Sequence, residues 1–362
     1  MSTTELAVQD VTTSLRLAQP RLPRWAPALV GVLAVAAAGL PALLLGWGLV
    51  PWLFLAAVLF LVVLPLWSLA VENARAAVDR LMTSLVWTTF GVAMIPLAWL
   101  IWTVVKNGAS VISIEFLTFD MRNIVSDGGG IYHALLGTLL VTGAAALISV
   151  PVGLFAAIYL VEYGKGSRLA KWVTFLVDVM TGIPSIVAGL FALALFVLIF
   201  GPEIRLGFGG SVALSLLMIP IVVRSTEEML RLVPDDLREA SYALGVPKWR
   251  TITKVVLPTS LGGIITGVML AVARVIGETA PLLVVAGKTD SVNMNLFNER
   301  MTTLPVYIYY QFTQPGIAPA GTGGDAPGIA RAWGAALVLI AIVMVLNLIA
   351  RLVGKIYAPP QK

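Results

Sequence analysis

About eight apolar runs, each long enough to cross a bilayer, constrain this chain more than any other feature. They lie near 26–47, 51–71, 84–105, 134–160, 172–200, 211–230, 259–286 and 333–353. Roughly 20 helical residues span the hydrocarbon core. No water is available there to satisfy a free backbone amide, so each run must close its own hydrogen bonds as a helix. The expected fold is all-α, a polytopic membrane helical bundle. Composition agrees: 59% of residues are hydrophobic, 12% are charged, and the mean hydropathy is +0.93. A soluble chain of this length needs far more charge to cover its surface.

The basic residues set an orientation. Arg16, Arg21 and Arg24 lie in the N-terminal tail, and Arg75 and Arg80 between spans two and three. Lys165, Arg168 and Lys171 lie between spans four and five, and Lys355 and Lys362 after span eight. An even number of spans puts all of these on one side, which the excess of Lys and Arg marks as cytoplasmic. The first 24 residues read as a retained cytoplasmic tail, with no cleavable signal. The net charge of +5 is then loop bias rather than a nucleic-acid surface. The opposite loops, near 106–132, 201–210 and 287–332, are poorer in basic residues. The first mixes β-branched residues with Gly128-Gly129-Gly130 and reads as a partly ordered cap. Residues 313–330 are rich in Pro, Gly and Ala and read as an irregular exposed loop.

One polar island interrupts the pattern. Residues 234–258, PDDLREASYALGVPKWRTITKVVLP, carry too many charges to sit in lipid, where each costs roughly 2.5–3.5 kcal/mol or more. The local signals are helix, sharp turn, helix. Pro234 suits a first helical position, and Asp235 and Asp236 suit the positive helix start. Gly245 suits a left-handed C-cap and Pro247 the start of a second helix. A short rigid helix projecting from a membrane bundle is a docking element. Glu239-Ala240-Ser241, then Gly245, then Val255-Val256-Leu257-Pro258 resembles the EAA loop of ABC importer permeases. Ser241 stands where that family usually has Ala, and Val255 where it has Ile. The resemblance implies a coupling helix seated in a groove of a cytoplasmic ATPase.

Span seven holds Arg274 and Glu278 within apolar sequence. Their spacing of four places them on one helix face, within pairing distance. They read either as an ion pair fixing helix packing or as a gate and substrate contact, since guanidinium forks suit tetrahedral oxyanions. Arg224, near the cytoplasmic end of span six, reads as a snorkelling residue or a second anion contact. Glu227 and Glu228 are available to pair with it. In span five, Asp178 is followed by Gly182-Ile183-Pro184-Ser185, which reads as a packing kink or as opened backbone beside a cavity. His133 is the single histidine and cysteine is absent, so neither a metal site nor a catalytic set is expected. His133 itself reads as an interfacial residue at the outer start of span four.

Several stretches, taken in order, are similar to the PstA-type permease of the phosphate ABC importer. They are GIYHALLGTLLVT, ISVPVGLFAAIYLVEYG, DVMTGIPSIVAGLFA, EEMLRLVPDDLREASYALGVPKWRTI and ARVIGETAPLL. The resemblance covers roughly 84–353 and implies a six-helix permease core. The remaining organisation is then a tail at 1–24, an added two-helix N-terminal hairpin at 25–83, the permease domain at 84–353 with its coupling helix in 234–258, and a C-terminal tail at 354–362. By the same resemblance, Arg224 and Arg274 match arginines implicated in transport and Glu278 the acidic residue of the ARxxGET segment; together with Thr279, Asp178 and Ser185 they are expected to line the substrate pathway. Glu239, Ala240, Ser241, Gly245, Pro247 and Pro258 serve coupling to the ATPase.

The implied partners are a PstC-type permease, forming a heterodimer, a PstB-type ATPase dimer and a PstS-type phosphate-binding protein. Inorganic phosphate and membrane lipid complete the set, and nucleic acid is not expected. The sequence lacks a GxxxxGK[ST] phosphate loop, so the chain is expected to carry no cofactor and no ATPase activity of its own. ATP and Mg would be bound by the partner ATPase. Two rivals stand beside this expectation: an ABC permease for another oxyanion or solute, and an ATP-independent secondary transporter. The second leaves the helix–Gly–helix island without a purpose.

Overall fold

The computed structural model describes residues 21–124, 128–317 and 326–357. Most of the expected N-terminal tail, the tip of the 106–132 loop, the centre of the 313–330 loop and the end of the C-terminal tail lie outside these residues. The described residues are helical, without strands. They divide into two compact units, 1–101 and 102–362.

The first unit is built on α1 (Ala26–Leu44), α2 (Leu49–Val71) and most of α3 (Ala74–Gly108). In α1 the residues Ala26, Val30, Ala34, Ala38 and Ala42 recur at every fourth position and are buried. This stripe of mostly small side chains lets α1 lie close along α2. Tight van der Waals contact matters here because lipid tails are as apolar as the side chains themselves. At the far end of α2, Glu72 accepts hydrogen bonds from the Leu22 amide (2.7 Å), the Ser68 hydroxyl (2.5 Å) and both forks of Arg80 (2.8 Å each).

The second unit carries the remaining helices. These are α4 (Ile114–Thr118), α5 (Tyr132–Ile158, prolonged by a π turn at Tyr159–Tyr163), α6 (Arg168–Thr181) and α7 (Ser185–Phe200). Then follow α8 (Gly207–Arg231), α9 (Asp235–Ala243), α10 (Lys248–Thr251) and α11 (Leu257–Val275). The last are α12 (Ala280–Val285), α13 (Leu304–Thr313) and α14 (Pro327–Tyr357). The central helix is α8, which packs against α5, α6, α7, α11 and α12. Its Leu214, Met218 and Val222 meet Val141 and Ala145 of α5 and Ala271 and Val275 of α11. Seven of the described helices are long and apolar enough to span a membrane, or eight if the bent pair α6–α7 counts as one span.

Several sequence expectations change. Span five is not a single kinked helix: α6 and α7 meet at 110°. Pro184 lacks an amide to continue the ladder, and Gly182 offers little resistance to the turn. Span seven ends at Val275 and resumes at Ala280. Span eight is longer than expected and continues to Tyr357, into the segment assigned to the tail. Pro234 precedes its helix, which begins at Asp235.

Among the described residues, the loops around 109–131 and 287–303 are more ordered than their composition suggests. Ser113 caps α4 by accepting from the Phe116 amide at 3.0 Å. The amides of Ile131 and Tyr132 donate to the Phe116 and Phe119 carbonyls. The Met121 amide donates to the Asp290 carbonyl, tying this cap to the 287–303 segment. That segment is itself pinned through Phe208 to Leu296 and Met301 to Ala286. The helix α13 follows, where only loop was expected. His133 is thereby covered: it is 2% exposed and meets the Tyr307 ring edge-on at 5.5 Å. It is packed inside the protein rather than open to its surroundings.

Candidate functional site

Two regions of the second unit hold the residues that the sequence singled out. One is the polar elbow after α8. The helix α9 starts on Asp235 and Asp236, whose charges favour the helix N-terminus. It stops at Ala243, and Gly245 takes φ +74°, a conformation that other L-residues adopt only with strain. The Gly245 amide donates to the Tyr242 carbonyl and the Val246 amide to Ser241, so the last carbonyls of α9 are satisfied. Pro247 then caps α10. A π turn over Ile252–Val256 joins α10 to α11. It ends two residues before Pro258, whose ring supplies no amide to the preceding turn.

The elbow is anchored from within. The Arg238 side chain is 9% exposed and pairs with Glu162 at 2.9 Å. Its guanidinium also donates to the Val233 carbonyl (2.6 Å) and the Leu230 carbonyl (2.9 Å), and it reaches Asp235 at 3.1 Å. Arg238 therefore ties α9 to the end of α8 and to the π turn that ends α5. A second tie runs between the hydroxyls of Ser241 and Thr251, 2.8 Å apart and buried. The opposite face is open. Glu239 and Ala240 are exposed, as are the large side chains of Leu237, Tyr242, Leu244 and Trp249. Within this helix–turn–helix, Arg238 and Ser241 serve the internal anchor, and the opposite face is exposed.

The other region lies within the bundle. Arg224 of α8 pairs with Asp178 of α6 and, at 2.7 Å, with Glu227. Glu227 is buried and also receives Arg231 at 2.5 Å. Arg224 is thus held across two helices rather than snorkelling alone, while Glu228 stays exposed. Arg274 and Glu278 do not behave as expected. They share no ion pair or hydrogen bond among the described residues, because α11 ends at Val275 and Gly277 separates them. Pro281 cannot donate to the Gly277 carbonyl four residues back, so the helical ladder is broken at this point. Arg274 is left exposed at the end of α11 and Glu278 half-buried in the break.

The break packs against α7 through Gly189. A Cβ added there would lie 2.6 Å from Pro281 Cα, so only glycine permits this approach. Ser185 lies one turn before Gly189 and Thr279 two residues before Pro281; both are half-buried. The two interrupted spans therefore meet at their interruptions. Freed backbone groups and half-exposed polar side chains at such a meeting point suit the wall of a hydrated passage.

Sequence reasoning missed Glu162 and Thr251. Glu162 carried a signal, a carboxylate directly after an apolar run, but its partner is 76 residues away. Thr251 carried none, since a lone threonine in a charged segment is unremarkable.

The family described as "Binding-protein-dependent transport system inner membrane component" matches residues 149–360. The "Phosphate transport system permease protein PstA 1" of Mycobacterium tuberculosis is 47% identical over 282 residues, covering 77% of this chain and 89% of the relative. The "Phosphate transport system permease protein PstA" of Haemophilus influenzae is 38% identical over 278 residues, covering 77% and 94%. Among solved structures, a bacterial alginate ABC transporter in complex with its pentasaccharide-bound periplasmic protein contains a chain with TM-score 0.53 and 15% identity, covering 75% of this chain and 93% of that one. That likeness concerns the fold alone. The chain belongs to the binding-protein-dependent transport system inner membrane component family, and within it to the PstA-type permeases.

Proposed function

We propose that this chain is the permease subunit of an ATP-driven inorganic phosphate importer. The observation that carries the reading is the 47% identity, over 77% of the chain, to a phosphate transport system permease. The chain forms half of the translocation pathway, and a PstC-type permease supplies the other half as a heterodimer. A PstB-type ATPase dimer binds ATP and Mg and docks on the exposed face of α9 and α10. A PstS-type binding protein delivers phosphate from outside. The protein resides in the bacterial inner membrane with both termini cytoplasmic.

The geometry supports alternating access. Nucleotide-driven closure of the ATPase moves α9. The Arg238–Glu162 pair passes that motion to the ends of α5 and α8 as a rigid link. The two interrupted spans then part or close at the Gly189–Pro281 contact. Arg274 is exposed in the isolated subunit and faces the pathway shared with the partner permease, where its planar fork receives a phosphate oxyanion. Arg224 offers a second positive group, and Asp178 and Glu227 compete with the anion for it. That competition keeps the anion from binding too tightly to leave.

Uptake into proteoliposomes holding the whole complex tests the reading, with sulfate as control. ATP-dependent accumulation of phosphate and not sulfate is expected. Uptake of another solute overturns the substrate, and uptake indifferent to ATP overturns the coupling role of the elbow.

A further inference from the structure

The transport reading leaves one cavity of the first unit without a role. It has a volume of about 860 Å³ and opens where α1 begins and α2 gives way to α3. Its rim holds Arg21, Arg75 and Arg80, and its apolar wall holds Phe60, Leu64 and Trp87. Two carboxylates also line it, Glu72 and Asp79. Glu72 is fully engaged by Arg80, Ser68 and the Leu22 amide. Arg21 and Arg75 are exposed and make no ion pair or side-chain hydrogen bond among the described residues. The rim therefore keeps two uncommitted guanidiniums against the single carboxylate of Asp79.

The position of the cavity narrows the ligand. It lies at the ends of apolar helices, and its change from charged rim to apolar wall matches the passage of a bilayer from headgroup to hydrocarbon. Trp25 and Trp67 approach each other at 6.5 Å between ring centroids nearby, and tryptophan favours that depth. Guanidinium forks match the oxygens of a phosphate group. A free phosphate would use only the rim, whereas a ligand with an acyl chain would also cover Phe60, Leu64 and Trp87. Basic pockets between membrane helices accept anionic headgroups by this combination.

We propose that this cavity binds an anionic phospholipid. Its phosphodiester contacts Arg21 and Arg75, and an acyl chain lies along Phe60, Leu64 and Trp87. The proposal is independent of which solute the permease carries.

The test uses the complete complex, carrying the full chain, in nanodiscs of phosphatidylcholine with a minor fraction of phosphatidylglycerol. Native mass spectrometry counts the lipids that stay bound after extraction. Selective retention of phosphatidylglycerol is expected. The Arg21→Gln/Arg75→Gln double variant should reduce it about 10- to 30-fold, given the attraction of each basic residue for an anionic headgroup. Among the described residues neither side chain makes an ion pair or side-chain hydrogen bond that the variant would lose, so the fold is expected to survive; an unchanged melting temperature checks this. Equal retention of the two lipids by the wild type, or unchanged retention in the double variant, overturns the proposal. Displacement of the lipid by inorganic phosphate, but not by chloride of equal ionic strength, also overturns it by showing a site for the free anion.

Discussion

Arg238 and Glu162, 76 residues apart, form a buried ion pair 2.9 Å long that joins α9 to the end of α5. Breaking such a pair from one side strands a charge and costs roughly 3–5 kcal/mol. Glu162→Ala should therefore lower the melting temperature of the purified complex. Arg238→Lys is more informative because it keeps the charge and loses the fork that also holds the Leu230 and Val233 carbonyls. ATP hydrolysis should persist in that variant while uptake per ATP falls. An unchanged ratio of uptake to hydrolysis would remove this pair from the transmission path.

Gly245 gives a test of the elbow's shape. At φ +74° a Cβ costs roughly 1–2 kcal/mol, so Gly245→Ala should weaken ATPase docking modestly. Gly245→Pro should do far more, since proline cannot adopt this φ and removes the amide that donates to Tyr242. Co-purification of the ATPase with each variant measures the effect. Wild-type docking by Gly245→Pro would sink the assignment of this turn.

The legible parts of the chain were those set by local chemistry. The apolar runs follow from bilayer thickness, and the elbow from Pro234, Gly245 and Pro247, whose backbone preferences act over a few residues. The Gly182-Ile183-Pro184 interruption was visible, but its 110° angle was not, because the packing of α7 against α8 and α12 sets the angle. Arg274 and Glu278 misled for a related reason. A spacing of four implies a shared face only where the helix continues, and Gly277 with Pro281 ends it. The helix α13 was hidden because its neighbours read as loop, and its burial depends on α5 and α14. Glu162 needed a partner from a distant segment, which spacing rules cannot supply.

The Arg224–Asp178 pair separates stability from transport. Arg224 is partly exposed and Asp178 exposed in the isolated subunit, at 34% and 60%, and pairs open to solvent contribute about 0–1 kcal/mol. Asp178→Asn should leave the melting temperature nearly unchanged, because Arg224 keeps Glu227. It should nonetheless alter uptake, since it frees one fork of Arg224 and loosens α6 from α8. Slower phosphate release, seen as a lower turnover at unchanged ATPase docking, is the expected signature. A large loss of stability would instead make the pair a packing element.

The Glu72 cluster predicts a pH dependence in the first unit. Hydrogen bonds from Arg80, then Ser68 and the Leu22 amide, hold its carboxylate at about 2 rather than 4.5. A carboxylate depressed in the folded state contributes stability that is complete above its unfolded value and fades as pH falls towards the folded one. The window is therefore pH 4.5 down to about 2. Protection of the Leu22 amide against hydrogen exchange should hold at pH 4 and disappear near pH 2. Loss of protection centred at 4.5 would contradict the cluster.

Arg274 and Glu278 make the last prediction. A neutralising ion pair would couple the two, so each single variant would resemble the double. The broken helix keeps them apart, so a double-mutant cycle on complex stability should give a coupling energy below about 0.5 kcal/mol, as for independent sites. Arg274→Gln should abolish phosphate uptake while the complex still assembles, because the side chain is exposed and supports no packing contact through charge. Glu278→Gln should leave more activity, since its carboxylate is not needed to hold Arg274 in place. Equal loss of uptake in both, with strong coupling in the cycle, would restore the ion pair and place it in a conformation other than this one.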